Sequence, residues 1–382
     1  MSKSNETTPN VPTLRFPNYS GEWQVSPMGK VCTFRKGYGI SKENLSSDGT
    51  PCILYGELYT TYKTAIAKSI KSKTSLDPKL LFHSKKNDVI IPCSGETAED
   101  IATSVCIPYD DILLGGDLTV IRSDLDGAFL SNQINSVRKY DIARIAQGKS
   151  IVHLQADELK KIFIAYPTID EQQKISGFID KIDERIEVQN KIISKYETLI
   201  KGICDILFTG TEENVLPLKA IASIDKGQQI NGLSLAKTGK YYYLNGGITP
   251  SGYIDDYNTS ENTIAISEGG NSCGFVSYNA QKFWSGGHCY TLKIKNTQCR
   301  SKFLFFYLKY REKDIMQLRV GSGLPNIQKR SLENFVVPLP TFEKQCYIEC
   351  ILESITAKKE IETALLGQFQ SQKKFLLSKM FI

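Results

Sequence analysis

Tyr166-Pro-Thr-Ile-Asp-Glu-Gln-Gln-Lys-Ile175 opens a long helix, and the run behind it decides the fold. Apolar residues follow at alternating steps of four and three: Ile175, Ile179, Ile182, Ile186, then Ile193, Tyr196, Ile200, Ile203 and Leu207. This is a heptad seam with one polar interruption at Gln189. Pro167 disfavours helix before it, Thr168 can cap, and Glu171 three residues later predicts a capping box. From Gln172 to Phe208 the helix would extend roughly 50–55 Å. A helix that long cannot be buried in one small domain, so it is a spacer or a coiled-coil arm.

The stretch occurs twice. Leu339-Pro-Thr-Phe-Glu-Lys-Gln345 lies 173 residues after Tyr166-Pro-Thr-Ile-Asp-Glu-Gln172. The offset holds without a gap from Gly148/Gly321 through Leu159/Leu332, Gln172/Gln345 and Ile182/Ile355 to Phe208/Phe381. The second seam then includes Leu352, Ile355, Leu366 and Phe369.

The segments before the two helices also match. Pro217 to Gly227 resembles Pro27 to Gly37, and Tyr243-Leu-Asn-Gly246 resembles Ile53-Leu-Tyr-Gly56, both offset by 190. Ile264 to Gly270 answers Val89 to Gly95, and Ser285-Gly-Gly-His288 answers Leu114-Gly-Gly-Asp117. Phe303 to Leu308 answers Phe129 to Ile134. The predicted order is a polar tail (1–14), a first mixed domain (15–150), a bridge and central helix (151–210, closed by Gly210), a second mixed domain (211–325), and a bridge and C-terminal helix (326–382). The expected class is α+β: two similar mixed α/β domains alternating with two long helices. If those pair antiparallel as a coiled-coil spacer, the copies are related by a pseudo-two-fold axis.

Bulk properties exclude other classes. No apolar run approaches the roughly 20 residues needed to span a bilayer, and Met1–Pro12 lacks the apolar core of a secretory signal. Ten cysteines are scattered without a Cys-x-x-Cys pair, and His83, His153 and His288 lie far apart, so no metal site is expected. Reduced thiols in a cytoplasmic protein fit this pattern. Net charge is +6, but seven lysines (63, 68, 71, 73, 79, 85, 86) face one acid, Asp77, between Lys63 and Lys86. Such a patch suits a phosphate backbone; a solvated lysine-rich face fits it too.

Two similar domains separated by long helices suit a ligand with two sites along one axis, and duplex DNA repeats one face about every 34 Å. Amide, basic and aromatic side chains in Gly-rich loops provide candidate contacts. In the first domain these are Arg35, Lys36, Tyr38, Tyr62, Lys63 and Ser94. In the second they are Lys226, Gln228, Gln229, Tyr241, Tyr242, Asn245, Asn271 and His288. A protein-only coiled-coil scaffold is the competing function on these residues alone.

Leu14-Arg-Phe-Pro17 with Glu22-Trp23, Gly321-Ser-Gly-Leu-Pro-Asn-Ile327, and the helix openings ending Asp170-Glu-Gln172 and Glu343-Lys-Gln345 carry a resemblance. Over about residues 14–382 the chain resembles the specificity subunit of a type I restriction–modification enzyme. It departs from that pattern at Gly148-Lys-Ser150, where the second copy has Gly321-Ser-Gly323, and at Tyr166, where leucine is usual. The resemblance implies two target-recognition domains, each reading half of a bipartite double-stranded DNA site. It implies that the helices act as a ruler and dock two modification (methyltransferase) subunits, with restriction (translocase and nuclease) subunits outside. S-adenosylmethionine, ATP and Mg would then serve those partners, with no cofactor and no catalytic residue in this chain. Consistent with that, there is no Pro-Pro dipeptide for an amino-methyltransferase motif and no Gly-x-x-x-x-Gly-Lys-Ser/Thr phosphate loop. Asp170 and Glu171 sit where a helix dipole favours acids, which explains them without catalysis.

Ile186→Asp or Leu352→Asp puts a charge into an apolar seam. Each is expected to damage folding or assembly, read as an altered gel-filtration profile; an unchanged profile would refute the seam.

Overall fold

The computed structural model describes residues 10–148, 151–209, 214–231, 235–321 and 323–382. Residues 1–9 of the tail, Lys149-Ser150, Gly210 and Ser322 lie outside the described residues. The chain divides into two compact units, one comprising the chain through Asn190 with Ala364–Ile382, the other Lys191–Thr363. Each unit takes part of both long helices.

In the first unit a short strand β1 (Gln24–Pro27) precedes β2 (Cys32–Lys36), β3 (Asp88–Pro92), β4 (Val105–Ile107) and β5 (Leu118–Ser123). Strands β2-β5-β3-β4 form an antiparallel sheet in that order. Near-continuous burial along β3 and β5 follows from runs such as Val89-Ile-Ile91, covered on both faces. Helix α1 (Gly127–Asn135) follows, capped where the Phe129 amide donates to the Asp126 carboxylate. A second, shorter helical piece follows at Lys139–Ile145. Strand β6 (Phe163–Tyr166) pairs with β1, and helix α2 (Ile169–Phe208) begins two residues past it.

The second unit repeats this plan. Strand β7 (Val215–Pro217) is followed by β8 (Ala222–Lys226), β9 (Thr263–Ser267), β10 (Val276–Asn279) and β11 (Cys289–Ile294), then α3 (Ser301–Tyr310). Its sheet runs β8-β11-β9-β10, again antiparallel. Strand β12 (Val336–Pro338) pairs with β7, and helix α4 (Phe342–Met380) closes the chain. Register matches as well as order: Thr119 faces Lys36 and Ile91, as Tyr290 faces Lys226 and Ile266. At one strand the sequence alignment is out by one residue. Cys52 and Ile53 lie beside Leu113 and Leu114, while Tyr243 and Leu244 lie beside Trp284 and Ser285. Ile53 therefore corresponds to Leu244, not Tyr243, because the loop before this strand differs in length between copies.

The repeated helix opening now has a physical cause. Gln172 and Gln345 are buried at 2% and 0% exposure. Gln172 Nε2 donates to Pro167 O, and Gln345 Nε2 to Pro340 O, each at 2.9 Å. Their Oε1 atoms accept from the amides of Asp126 and Arg300, also each at 2.9 Å. One amide side chain thus ties each long helix to the start of α1 or α3. Glu171 has a longer-range role than the capping box that its spacing predicts: both its oxygens accept from Arg15, at 2.7 Å.

Within the first unit the seam of α2 lies against the end of α4. Ile175 and Ile179 join Trp23, Phe129, Ala165, Leu376, Met380 and Phe381 in one cluster, with Ile182 packed beside it. Ring contacts Trp23–Phe129 and Trp23–Phe381, at 5.6 and 6.5 Å, dock the N-terminal segment on this cluster. The helices run antiparallel: Asp183 bonds Lys373 at 2.5 Å, and Arg185 lies over Phe369. Ile186, Leu366 and Phe369 are partly covered there. Within the second unit Cys204 and Phe208 enter a core with Phe303, Tyr307, Ile348 and Leu352, and Ile200 packs on it. Ile193, Tyr196 and Ile355 are again half-buried, and Glu197 pairs Lys359 at 3.8 Å.

Asp183 and Lys373 are 7% and 19% exposed. Burial raises the Asp183 carboxyl above its ordinary value, with Lys373 pulling the other way. Desolvation therefore offsets the attraction, as for buried ion pairs generally. Removing one partner should cost more than removing both. Lys373→Leu alone is expected to destabilise the chain by about 3 kcal/mol, and Asp183→Leu/Lys373→Leu to recover most of it. Thermal melts of the single and double variants check this; a double variant no better than Lys373→Leu would refute it.

Candidate nucleic-acid interface

Antiparallel pairing in the order β8-β11-β9 brings the end of β8, the start of β11 and the end of β9 to one edge of the sheet. Lys226, His288 and Glu268 sit at those three places. Backbone bonds fix them: Gly227 N donates to Cys289 O, Glu268 N to His288 O, and Ile327 N to Glu268 O, at 2.8–2.9 Å. Asn326 joins the edge through its bridge with Gly269. A side chain on Gly227 would collide with Gly286 and Ser285, so the loop needs glycine there for close approach.

The result is an open cleft of about 560 Å³, rimmed by Gly246, Gly247, Gly269 and Gly270. Lys226 Nζ lies 2.6 Å from Glu268 Oε1, and His288 Nδ1 3.9 Å from Oε2. The Tyr290 hydroxyl is 3.2 Å from Glu268 Oε1. Burial first, then Glu268, push the Tyr290 phenol up to about 12, so it stays a neutral donor at neutral pH. Asn245 Oδ1 accepts from the His288 amide at 3.1 Å. Glu268 itself is only 9% exposed, whereas the side chains of Lys226 and His288 are 54% and 64% exposed. The buried carboxylate orients exposed cationic and amide groups around a glycine rim, an arrangement that can meet base edges and phosphates.

The first unit has the same frame. Gly37 N donates to Leu118 O, Cys93 N to Asp117 O, and Leu154 N to Cys93 O, at 2.7–3.0 Å. Around it lies a cleft of about 610 Å³ lined by Arg35, Lys36, Cys93, Ser94, Asp117 and His153, among others. Ser94 Oγ lies 3.3 Å from His153 Nδ1, and Cys93 Sγ 3.1 Å from Thr119 Oγ1.

The structure thus gathers Lys226, Asn245, Asn271 and His288 in one cleft and Arg35, Lys36 and Ser94 in the other. Gln228 lines a neighbouring groove with Asn258 and Ser260, and Gln229 lies against Gly287. Tyr241 packs on Tyr257 at 5.0 Å. Tyr242 points the opposite way along the strand, stacking on Phe283 and donating to Asn279 Oδ1 at 3.0 Å. Tyr38 is 53% exposed on the edge of Phe82, and Lys63 is exposed with its ammonium on Tyr59 O. Tyr62 is corrected: it is 8% exposed in a cluster with Ile53, Leu58 and Ile90, so its ring cannot reach DNA. Within the lysine-rich stretch Lys68 is held by Asp180 and Glu184 of α2, at 2.6 and 2.9 Å. Sequence reasoning missed Glu268, Asn326, Cys93, Asp117 and His153. For Glu268 and Cys93 the one signal was a polar residue directly after an apolar strand, as in Ile264-Ala-Ile-Ser-Glu268; the other three carried none.

Among the described residues no cluster of three or more His, Cys, Asp or Glu side chains is placed to hold a metal ion, and no helix is long and apolar enough to cross a membrane. The family model for the type I restriction modification DNA specificity domain matches twice, over residues 20–198 and 212–369. A putative type I specificity subunit of Mycoplasma pneumoniae is 35% identical over 123 residues, 32% of either chain. Another, of Mycoplasma genitalium, is 27% identical over 174 residues, 43% of this chain and 45% of that one. The matched stretches therefore span about a third and under half of those relatives' lengths. The crystal structure of a type I restriction–modification system S subunit from M. genitalium superposes with a TM-score of 0.71 at 20% identity, covering 97% of this chain and 99% of that one. A chain from a structural study of complex assembly in the type I system gives 0.55 at 17% identity, covering 94% and 97%. With the family's domain falling once on each copy of the repeat, this chain belongs to the type I restriction–modification DNA specificity family.

Proposed function

We propose that this chain is the sequence-reading subunit of a type I restriction–modification complex, each unit reading one half of a bipartite site on double-stranded DNA. The observation that carries this is the duplication: one chain holds two copies of the same sheet, register and edge cleft. A reader of a single contiguous site needs one. The continuous helices α2 and α4, of 40 and 39 residues, set the separation between half-sites. A subunit with this function would act in the cytoplasm of a bacterial or archaeal cell.

The helices also dock two modification subunits, with restriction subunits bound outside them. Supporting this, large apolar residues remain exposed off the seam: Val188 and Phe375 in the first unit, and Leu199, Ile206, Tyr347 and Ile361 in the second. A contiguous apolar patch on an otherwise charged surface marks a partner site, and these residues are its candidates on the helices. Catalysis belongs to those partners, which would bind S-adenosylmethionine, ATP and Mg. This chain's own residues bind and orient DNA.

Modified-base sequencing of DNA from cells carrying the modification subunit, with and without this chain, tests the reading. Methylation confined to one bipartite motif and dependent on this chain is expected. Unchanged methylation despite a purified complex would sink it. Ile206 is 76% exposed, so Ile206→Asp should leave the thermal melt of the free chain unchanged while lowering co-purification of the modification subunit. Full retention of the partner would remove this face from the interface.

A further inference from the structure

The main-chain bonds that frame the two clefts correspond at three places, Gly37 with Gly227, Cys93 with Glu268 and Leu154 with Ile327, yet the side chains they carry differ. Four positions correspond through the sheet register and the matching hydrogen bonds. Lys36 answers Lys226, Cys93 answers Glu268, Asp117 answers His288, and His153 answers Asn326. Only the lysine is kept. A shared frame holding divergent polar groups at one rim is what two readers of different sequences require. Residues needed for the fold are instead alike in both copies, as Gln172 and Gln345, or Gly37 and Gly227.

Resting on the DNA-reading function above, we propose that this strand-edge quartet specifies the bases of each half-site, with Glu268 as a positioning residue for Lys226 and His288. In the second unit the salt bridge to Glu268 takes one of the ammonium's three donors and leaves two free. A lysine held at the rim this way suits the O6 and N7 acceptors of guanine. In the first unit, among the described residues, no carboxylate equivalent to Glu268 pairs with Lys36: Cys93 stands there. Asp117, exposed and in a left-handed conformation at φ 57°, adds an acceptor suited to an exocyclic amino group of cytosine or adenine. The clefts therefore select different base chemistry from one geometry.

The experiment uses the full chain with its modification subunit in cells, read by modified-base sequencing. His288→Asn and Glu268→Gln should relax or change one or two base positions of one half-site, with about tenfold or greater loss of methylation at the original sequence. Asp117→Asn should alter the other half-site only. Glu268→Asp, which keeps the charge, should restore part of the original preference, which a purely structural role would not require. His288 and Asp117 are exposed, so their variants keep the test alive if Glu268→Gln fails to fold. An unchanged motif in His288→Asn and Asp117→Asn would overturn the assignment. So would both variants altering the same half-site, or a uniform fall in methylation with no change of motif. A wild-type chain directing no bipartite motif would instead defeat the underlying function, so the two failures are distinguishable.

Discussion

Two buried amide side chains, Gln172 and Gln345, set where the long helices begin and how they leave their domains. Each bonds the carbonyl five residues before it and the amide of the residue that immediately precedes the short helix beside it. A buried donor or acceptor left unpaired costs about 1–3 kcal/mol, so each knot resists rotation of the helix about its own axis. Rotation would also turn the heptad seam away from its partner. The α1 and α3 caps show how tightly this junction is constrained. The Phe129 amide is capped by the local Asp126, whereas the equivalent Phe303 amide is capped by Glu349, reaching in from α4. The same donor must be satisfied in both copies, and the copies differ only in where the carboxylate comes from.

The seam that follows is not symmetric in chemistry. Shifted by the repeat of 173, Asp183 corresponds to Thr356 and Lys373 to Ile200. A helix pairing with a copy of itself in this register would set Asp183 near isoleucine, or Lys373 near threonine. Either buries an uncompensated charge, which is strongly unfavourable. The ion pair forms only when unlike helices meet. Its desolvation cost thus favours joining the first copy's helix to the second copy's within one chain, as single polar residues do at coiled-coil seams.

The helices were legible because their determinants are local. A three-four spacing and a Pro-Thr opening are read within one stretch of chain, and the repeat made each copy evidence for the other. Long-range partners were not legible. Glu171 has the spacing of a capping acid, yet Arg15, 156 residues away in sequence, takes both its oxygens. Tyr62 reads as a surface aromatic beside Lys63 until the chain folds over it. The alignment of Tyr243 with Ile53 slipped because identity there is low and only ladder register distinguishes neighbours. The cleft was half visible. Lys226 and His288 stood out as basic residues in glycine loops, but Glu268 at the end of an apolar strand gave no sign of facing both until the sheet placed three strand ends together.

On the proposed reading, that sheet edge lets one fold hold two specificities. The frame is built from main-chain bonds, whose geometry does not depend on which side chain occupies position 93 or 268, 117 or 288. Core volume is untouched when an exposed rim residue changes, so the usual cost of substitution, a cavity or an overpacked core, does not arise. Glu268 is the exception: it is buried, and it is tolerable only because Lys226 and Tyr290 satisfy it. Its counterpart Cys93 needs no such support and finds Thr119 instead. The two copies have therefore diverged as pairs, acid with tyrosine and thiol with threonine, while the main-chain bonds that hold them correspond. On that reading, a change of specificity at this edge is constrained by the satisfaction of one buried group, not by the stability of the domain.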